Sequence, residues 1–157
     1  MIPVSVGNHP GTGQSEAAAV LLLCAHATNR RHLRKILDAR GLKIYDALGW
    51  AEGAAAVARY RPQVIICEAI LPDADWKDVL FQTALLRDAP KLIVISSYVD
   101  DSLGSEVLHF GGYDVLLKPL VEDEVVRVVG LAWQNWTNER DRRREAVWSA
   151  PEKGETK

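Results

Sequence analysis

The sequence has few of the features that define several classes of protein. It contains two cysteines in 157 residues, Cys24 and Cys67, too few for the disulfide framework of a small secreted domain. Its longest apolar run, residues 17–25, is too short to span a bilayer. The first 16 residues lack the basic start of a signal peptide. A cytoplasmic protein is therefore expected.

An excess of charge of one sign is also lacking. The formal net charge is -2, which argues against a general role on nucleic acid or on a membrane surface, so neither is expected as a partner. The basic run at 140–144 could contact nucleic acid, but it equally suits the C-terminal end of a solvated helix. No glycine-rich phosphate loop and no Ser-His-Asp or Cys-His arrangement is readable, so no enzyme is predicted.

The apolar pattern predicts five strands that alternate with five helices. The strands are predicted at 19–24, 43–47, 64–68, 92–96 and 113–117, and the helices at 28–40, 51–60, 78–87, 103–110 and 121–143. This alternation predicts an α/β fold with a parallel sheet covered by helices on both faces. With five βα units, we expect the flavodoxin-like three-layer sandwich, (βα)5, with strand order 2-1-3-4-5. We divide the chain into a flexible arm at 1–18, a folded domain at 19–138 and a charged extension at 139–157.

Polar residues are predicted to end neighbouring strands of this sheet. Glu68 ends the buried third strand, Ser96 ends the fourth, and Lys118 follows the fifth, while Cys24 and Ala25 come at the end of the first. In open α/β sheets, ligands bind at the carboxyl ends of the strands. The predicted topology therefore brings these residues to one edge. One interpretation of the cluster is a transition-metal site that includes His26; the alternative is a solvated histidine beside buried free thiols.

Four segments resemble the receiver domain of bacterial two-component response regulators. They are 64–68 (VIICE), 71–75 (LPDAD), 93–96 (IVIS) and the Lys118–Pro119 pair, in the order and at the intervals of that family. The resemblance implies that an aspartate ends the third strand and accepts a phosphoryl group from a histidine kinase. It also implies an acid pair after the first strand that holds Mg²⁺, a Ser or Thr and a Lys that contact the phosphoryl group, and a switch aromatic on the fifth strand.

This sequence departs from the family at the chemical positions. Glu68 stands at the acceptor position, Cys24 and Ala25 at the acid pair, and Val115 at the switch aromatic, whereas the phosphoryl contacts Ser96 and Lys118 are kept. Mg²⁺ needs hard oxygen ligands, so the metal site is predicted lost, and no metal or cofactor is expected.

These departures predict an atypical receiver in phosphorelay signalling that does not depend on phosphorylation and acts by protein interaction. The remaining acid, Glu68, is expected to pair with Lys118. Two alternatives remain: a phosphorylatable receiver with altered metal use, and a small α/β binding protein or enzyme that shares only the fold.

The resemblance also suggests where a partner binds. The usual contact surface of receivers is the face of the fourth helix, fifth strand and fifth helix, which here carries Leu108, Val115, Val125 and Trp133. A long fifth helix that projects beyond its domain has an apolar face to bury against another chain. We expect a homodimer, or docking of a signalling partner such as a histidine kinase or an output protein.

Overall fold

The computed structural model describes the backbone of residues 18–97 and 101–155 and the side chains of 18–97 and 102–147. The predicted flexible arm, apart from Ala18, lies outside the described residues. The strands are β1 (Ala19–Leu23), β2 (Lys43–Ala47), β3 (Val64–Glu68), β4 (Lys91–Ser96) and β5 (Asp114–Leu117). The helices are α1 (Ala27–Asp38), α2 (Trp50–Tyr60), α3 (Trp76–Ala84), α4 (Asp101–His109) and α5 (Glu122–Glu155).

The five strands form one parallel sheet in the order β2-β1-β3-β4-β5, which confirms the predicted flavodoxin-like fold. Helices α1 and α5 pack on one face of the sheet, and α2, α3 and α4 pack on the other. Because side chains alternate along a strand, each buried strand supplies both cores. Cys24 lies in the core on the face of α1 and α5, and Cys67 lies in the core on the face of α2, α3 and α4. The two free thiols are therefore on opposite faces of the sheet.

The segment that follows β3 organises the starts of two helices on one face. Asp73 accepts hydrogen bonds from the backbone N–H groups of Trp50 (2.7 Å) and Ala51 (2.9 Å), the first two residues of α2. Asp75 caps α3 and forms a capping box with Asp78. The carboxylates therefore satisfy backbone donors that a helix start leaves unpaired.

The α2 start has a glycine at its N-cap because a side chain there would meet Asp73. A Cβ at Gly49 would lie 2.8 Å from Asp73 Oδ1, which is closer than real Cβ contacts come. The hydrogen bonds from α2 also hold the pKa of the exposed Asp73 carboxyl below its usual range. Asp73 thus connects the turn after β3 to the start of α2.

The predicted bounds of several helices are wrong, including those of α1, α3 and α5. Helix α1 begins at Ala27, one residue before its predicted start, with His26 as its N-cap, and His26 makes no capping hydrogen bond through its own side chain. Helix α5 was expected to end near position 143 but continues to Glu155. The residues beyond 138 include many Glu and Arg, which favour helix, so charge did not end it.

The distal part of α5 is tied to the turn between α3 and β4. Trp136 Nε1 donates to the Asp88 carbonyl (3.1 Å), and Arg143 forms an ion pair with the Asp88 carboxylate. Glu139 pairs with Lys91 at 2.8 Å. The predicted extension at 139–157 thus begins inside a continuous helix. In the described part of the chain, no helix is long and apolar enough to cross a membrane.

Two of the four predicted interface residues are instead in the core. The side chain of Val125 is completely buried, and Trp133 is only 8% exposed. Trp133 stands four residues after Val129 and three before Trp136, so all three share the stripe of α5 that faces the sheet. Placing Val125 and Trp133 at a docking surface was wrong, and Trp136 is buried as well.

Candidate functional site

The carboxylate of Glu68 is buried at the end of β3 and is held by four hydrogen bonds. The residue is 5% exposed. Its Oε1 accepts from the Ala25 backbone N–H (3.0 Å) and lies 3.1 Å from His26 Nδ1. Its Oε2 accepts from the His26 backbone N–H (3.2 Å) and from Asn29 Nδ2 (2.9 Å). Both oxygens of the acid are therefore engaged by donors of one short segment.

The donors surround the start of α1, which explains why an acid fits there. Strands β1 and β3 are neighbours, so the turn after β1 lies beside the end of β3. Backbone N–H groups at a helix start point outward without partners and carry a partial positive charge. Glu68 thus serves α1 as Asp73 serves α2: an acid from the β3 segment reaches the start of a helix in another part of the chain. Below, the group of Glu68, Ala25, His26 and Asn29 is called the α1 latch.

The predicted ion pair between Glu68 and Lys118 is absent from the described part of the chain, where Lys118 forms no ion pair at all. The Lys118 backbone N–H donates to the Ser96 carbonyl (3.0 Å), which places both residues at the carboxyl edge of β4 and β5. Their predicted roles as phosphoryl contacts remain predictions. The pairing was wrong because the start of α1 offers Glu68 hydrogen-bond donors closer than the ammonium group.

The two positions that correspond to the acid pair, Cys24 and Ala25, supply no metal ligand of the expected kind. Cys24 is completely buried, and burial, together with the nearby charge of Glu68, raises the pKa of its thiol to about 12. A protonated thiol is a poor ligand, because metals bind the thiolate. Ala25 offers only its backbone. Among the described residues, no three His, Cys, Asp or Glu side chains are grouped to hold a metal, so the transition-metal interpretation of Cys24, His26 and Glu68 fails.

A comparison with known protein families identifies the family of this chain. Residues 20–130, more than half of the chain, match the family model described as the response regulator receiver domain. The chain belongs to the response regulator receiver domain family. Receiver domains act in two-component signalling, where they interact with histidine kinases and output proteins.

Two curated relatives are full-length regulators. The acid tolerance regulatory protein ActR of Rhizobium meliloti (strain 1021) is 27% identical over 96 residues, which are 61% of this chain and 50% of ActR. The transcriptional regulatory protein KdpE of Mycobacterium tuberculosis (strain CDC 1551 / Oshkosh) is 35% identical over 94 residues, 60% of this chain and 41% of KdpE. The matched region thus spans half or less of each of these relatives.

Solved receiver structures share the fold. The signal receiver domain of an HD domain-containing protein from Pseudomonas fluorescens Pf-5 superposes with a TM-score of 0.75 at 19% identity, covering 82% of this chain and 96% of that one. A CheY-like receiver domain protein from Methanospirillum hungatei JF-1 gives 0.71 at 18% identity, covering 79% and 99%. The receiver fold is therefore shared with these solved structures.

Sequence reasoning missed two members of the latch, His26 and Asn29. His26 was considered only as a metal ligand or a solvated residue, and Asn29 was assigned no role in the site. The signal for Asn29 was its position four residues before Leu33, on the same stripe as Ile36 and Leu37. A polar residue on a core stripe requires a buried partner, and Glu68 was the nearest acid at that edge of the sheet.

Of the remaining predicted residues, Ser96 is buried and Val115 half-buried. Val115 packs against the core of α2, α3 and α4. A valine has no ring to swing between a buried and an exposed position. Val115 lies in β5, and its assignment to the position of the switch aromatic stays a prediction.

Proposed function

We propose that this receiver works without phosphorylation, as a protein-interaction module of a two-component pathway. The observation that carries the proposal is the α1 latch. Glu68 occupies the phosphoacceptor position, and both of its oxygens are held by the start of α1. Attack on a phosphoryl donor requires a carboxylate oxygen that is free and aligned with the leaving group. The contacts of the α1 latch therefore indicate a structural role for the Glu68 carboxylate.

The residues present do not fit the Mg²⁺ ion that the family uses. Mg²⁺ prefers octahedral coordination by hard oxygen ligands. Here the acid-pair positions hold a buried thiol at Cys24 and a methyl group at Ala25, and the oxygens of Glu68 already accept hydrogen bonds from N–H donors. Without a cation, a phosphoryl group next to Glu68 would meet uncompensated negative charge. We therefore propose no metal-dependent step at this site.

The proposal is tested by incubation with acetyl phosphate and Mg²⁺, followed by intact-mass measurement. We expect no phosphoryl adduct on the parent chain. Glu68→Asp alone should remain unmodified because the acid pair is still missing. The triple variant Cys24→Asp, Ala25→Asp, Glu68→Asp restores the family's acid set and serves as the positive control. An adduct on the parent chain that maps to Glu68 would refute the proposal.

We place the docking surface on the α4-β5-α5 face, with corrected residues. Leu108, Leu117 and Val121 are 59%, 56% and 57% exposed, and all three are apolar. They take the place of the buried Val125 and Trp133. Strand β5 is an edge strand, and α4 and α5 both pack against it, so this face is continuous. Exposed apolar residues on one face favour association with another protein. We propose a second copy of the chain as the occupant.

Light scattering across a concentration series tests this association. We expect a dimer for the parent chain and a monomer for Leu117→Glu, because a charge at the centre of an apolar interface is costly. The matched control is Leu85→Glu at the C-cap of α3, a residue that is 87% exposed and lies away from the face. A parent chain that stays monomeric at high concentration would leave a heterologous partner, such as a histidine kinase or an output protein, as the occupant.

A further inference from the structure

A large groove lies at the edge of the sheet opposite to the α1 latch. Its volume is about 1090 Å³, and it is bounded by the starts of β1 and β2, helix α2, the end of α3 and the distal part of α5. This basal groove is built from none of the residues discussed as the receiver site. Pockets for small ligands typically enclose about 300–1,000 Å³, so the groove is large enough for an organic molecule.

Positive charge is concentrated in the basal groove, although the chain as a whole is slightly acidic. Its acidic residue, Asp88, is already bound by Arg143 at 2.6 Å. Within the described part of the chain, most of the cations that line the groove have no carboxylate within 4.0 Å. The unpaired ones are Lys43, Arg59, Arg61, Arg87 and Arg144. Several unpaired guanidinium groups around one groove suit a ligand with more than one negative charge.

Arg140 contributes a donor that is buried without an acceptor. Its guanidinium carbon lies 5.0 Å from the centroid of the Trp136 ring, and Trp136 is fixed by its hydrogen bond to Asp88. Its Nη2 contacts Asp141, but its Nε is buried and has no hydrogen-bond partner in the described region. A buried N–H without an acceptor is unfavourable. Arg140 lines the groove, so its guanidinium group adds a positive charge there, while Nε itself is too deeply buried to contact a ligand in this conformation.

Residues with a strained backbone conformation line the basal groove. Arg61, which follows α2, has a φ of 47°, and Asp88 has a φ of 55°. The left-handed region at a helix C-terminus is usually occupied by glycine, because it is unfavourable for residues with a Cβ. Strained residues of this kind concentrate at ligand sites, where the side chain has a use. The two non-glycine residues with positive φ in the described chain both line the basal groove.

Aromatic rings line the groove beside the cations. Tyr45 and Tyr60 stack with their centroids 4.0 Å apart and their planes 11° from parallel. Tyr60 is 43% exposed, and the guanidinium carbon of Arg59 lies 5.4 Å from its centroid. Flat rings and guanidinium planes of this kind bind planar ligand rings by stacking.

We propose that the basal groove binds a nucleoside polyphosphate, with its phosphates on the arginines and its base against Tyr60 or Arg59. The volume is too large for a single phosphate, and the combination of unpaired cations with stacked rings matches the two halves of such a molecule. The site lies away from the α1 latch, so this assignment is independent of the proposed function.

Calorimetric titration of the whole chain with ATP tests the assignment, with tripolyphosphate and adenosine as separate probes. We expect ATP to bind more tightly than tripolyphosphate, adenosine to bind weakly, and the affinity for ATP to fall as salt is raised. No binding of millimolar ATP would refute the site. Equal affinity for tripolyphosphate would refute the nucleoside part, and tighter binding of a single-stranded oligonucleotide would reassign the groove to nucleic acid.

Arg61 allows a variant that does not endanger the fold. Arg61→Gly removes the cation and relieves the left-handed backbone, so the variant should fold and yet bind ATP about tenfold more weakly, the factor of one charge-assisted hydrogen bond. Arg61→Lys keeps a charge at the same backbone and should retain most of the affinity. Arg31→Gln, an exposed cation on α1, is the matched control and should bind as the parent does. An equal loss in the control would overturn the assignment.

Discussion

The α1 latch makes a quantitative prediction for Glu68→Gln, which keeps the shape of the side chain and removes its charge. A glutamine presents one oxygen and one NH₂ group to the start of α1. Whichever position the NH₂ takes, it faces a backbone N–H, of Ala25 at Oε1 or of His26 at Oε2. Asn29 can rotate its amide to accept from the NH₂, but a backbone N–H cannot. One partly buried donor therefore loses its acceptor in either orientation.

The magnitude follows from two contributions. A buried donor left unpaired costs about 1–3 kcal/mol. Loss of the negative charge at the start of a helix costs about 0.3–1 kcal/mol at exposed sites and up to about 2 kcal/mol when partly buried. We therefore expect the free energy of unfolding to fall by about 2–4 kcal/mol. For a chain of this length, that corresponds to a decrease in Tm on the order of 5–15 °C.

Urea unfolding followed by tryptophan fluorescence and by far-ultraviolet circular dichroism measures this change. The control is Glu124→Gln, an exposed acid paired with Arg127, which should change the free energy of unfolding by less than about 1 kcal/mol. Asn29→Ala, alone and combined with Glu68→Gln, completes a double-mutant cycle, and the two changes should be strongly non-additive. A Glu68→Gln variant as stable as the control would refute the reasoning that the latch supports α1.

Two further predictions concern other groups with shifted pKa values. The pKa of Asp73 is lowered in the folded chain. Its carboxylate therefore stabilises the folded state fully above the ordinary pKa of about 3.8, and this stabilisation is lost as the pH falls through the lowered pKa. Asp73→Asn should therefore unfold at lower urea than the parent at pH 6, with the difference shrinking at pH 2–3, and a difference independent of pH would contradict this. Burial raises the pKa of both Cys24 and Cys67, so neither should react with a thiol reagent at about pH 8 until the chain is unfolded, and rapid labelling of the folded chain would contradict it.

The strands and their order were predictable from the sequence because burial on both faces leaves a clear signal. The run at 64–68 is apolar up to its final acid, and turn residues bound it on both sides, so β3 was predicted with its observed bounds. The helix ends were less predictable. Helix α1 begins without a capping side chain of its own, and the N–H group of its N-cap residue His26 donates instead to an acid far along the chain. Local sequence does not contain such a partner.

The site residues were located at the correct edge of the sheet, but their contacts were not. The expectation that Glu68 pairs with Lys118 considered only the formal charges of the two side chains. A helix start offers several N–H groups at fixed positions, whereas a lysine must lose side-chain entropy to hold one geometry. Trp133 shows a different error, since its spacing from Val129 and Trp136 already placed it on the buried stripe of α5. That residue was predictable from the sequence and was misjudged.

The latch also explains why the altered positions depend on one another. The carboxyl edge of a parallel sheet, next to helix starts, is a natural site for an anion. In this chain the protein's own carboxylate, Glu68, occupies that site. Adding acids at positions 24 and 25 while Glu68 remains would crowd three carboxylates around the start of one helix, which is unfavourable without a cation. If the proposed function holds, phosphoryl chemistry would require the three positions to change together, because the contacts of Glu68 with the start of α1 occupy both of its oxygens.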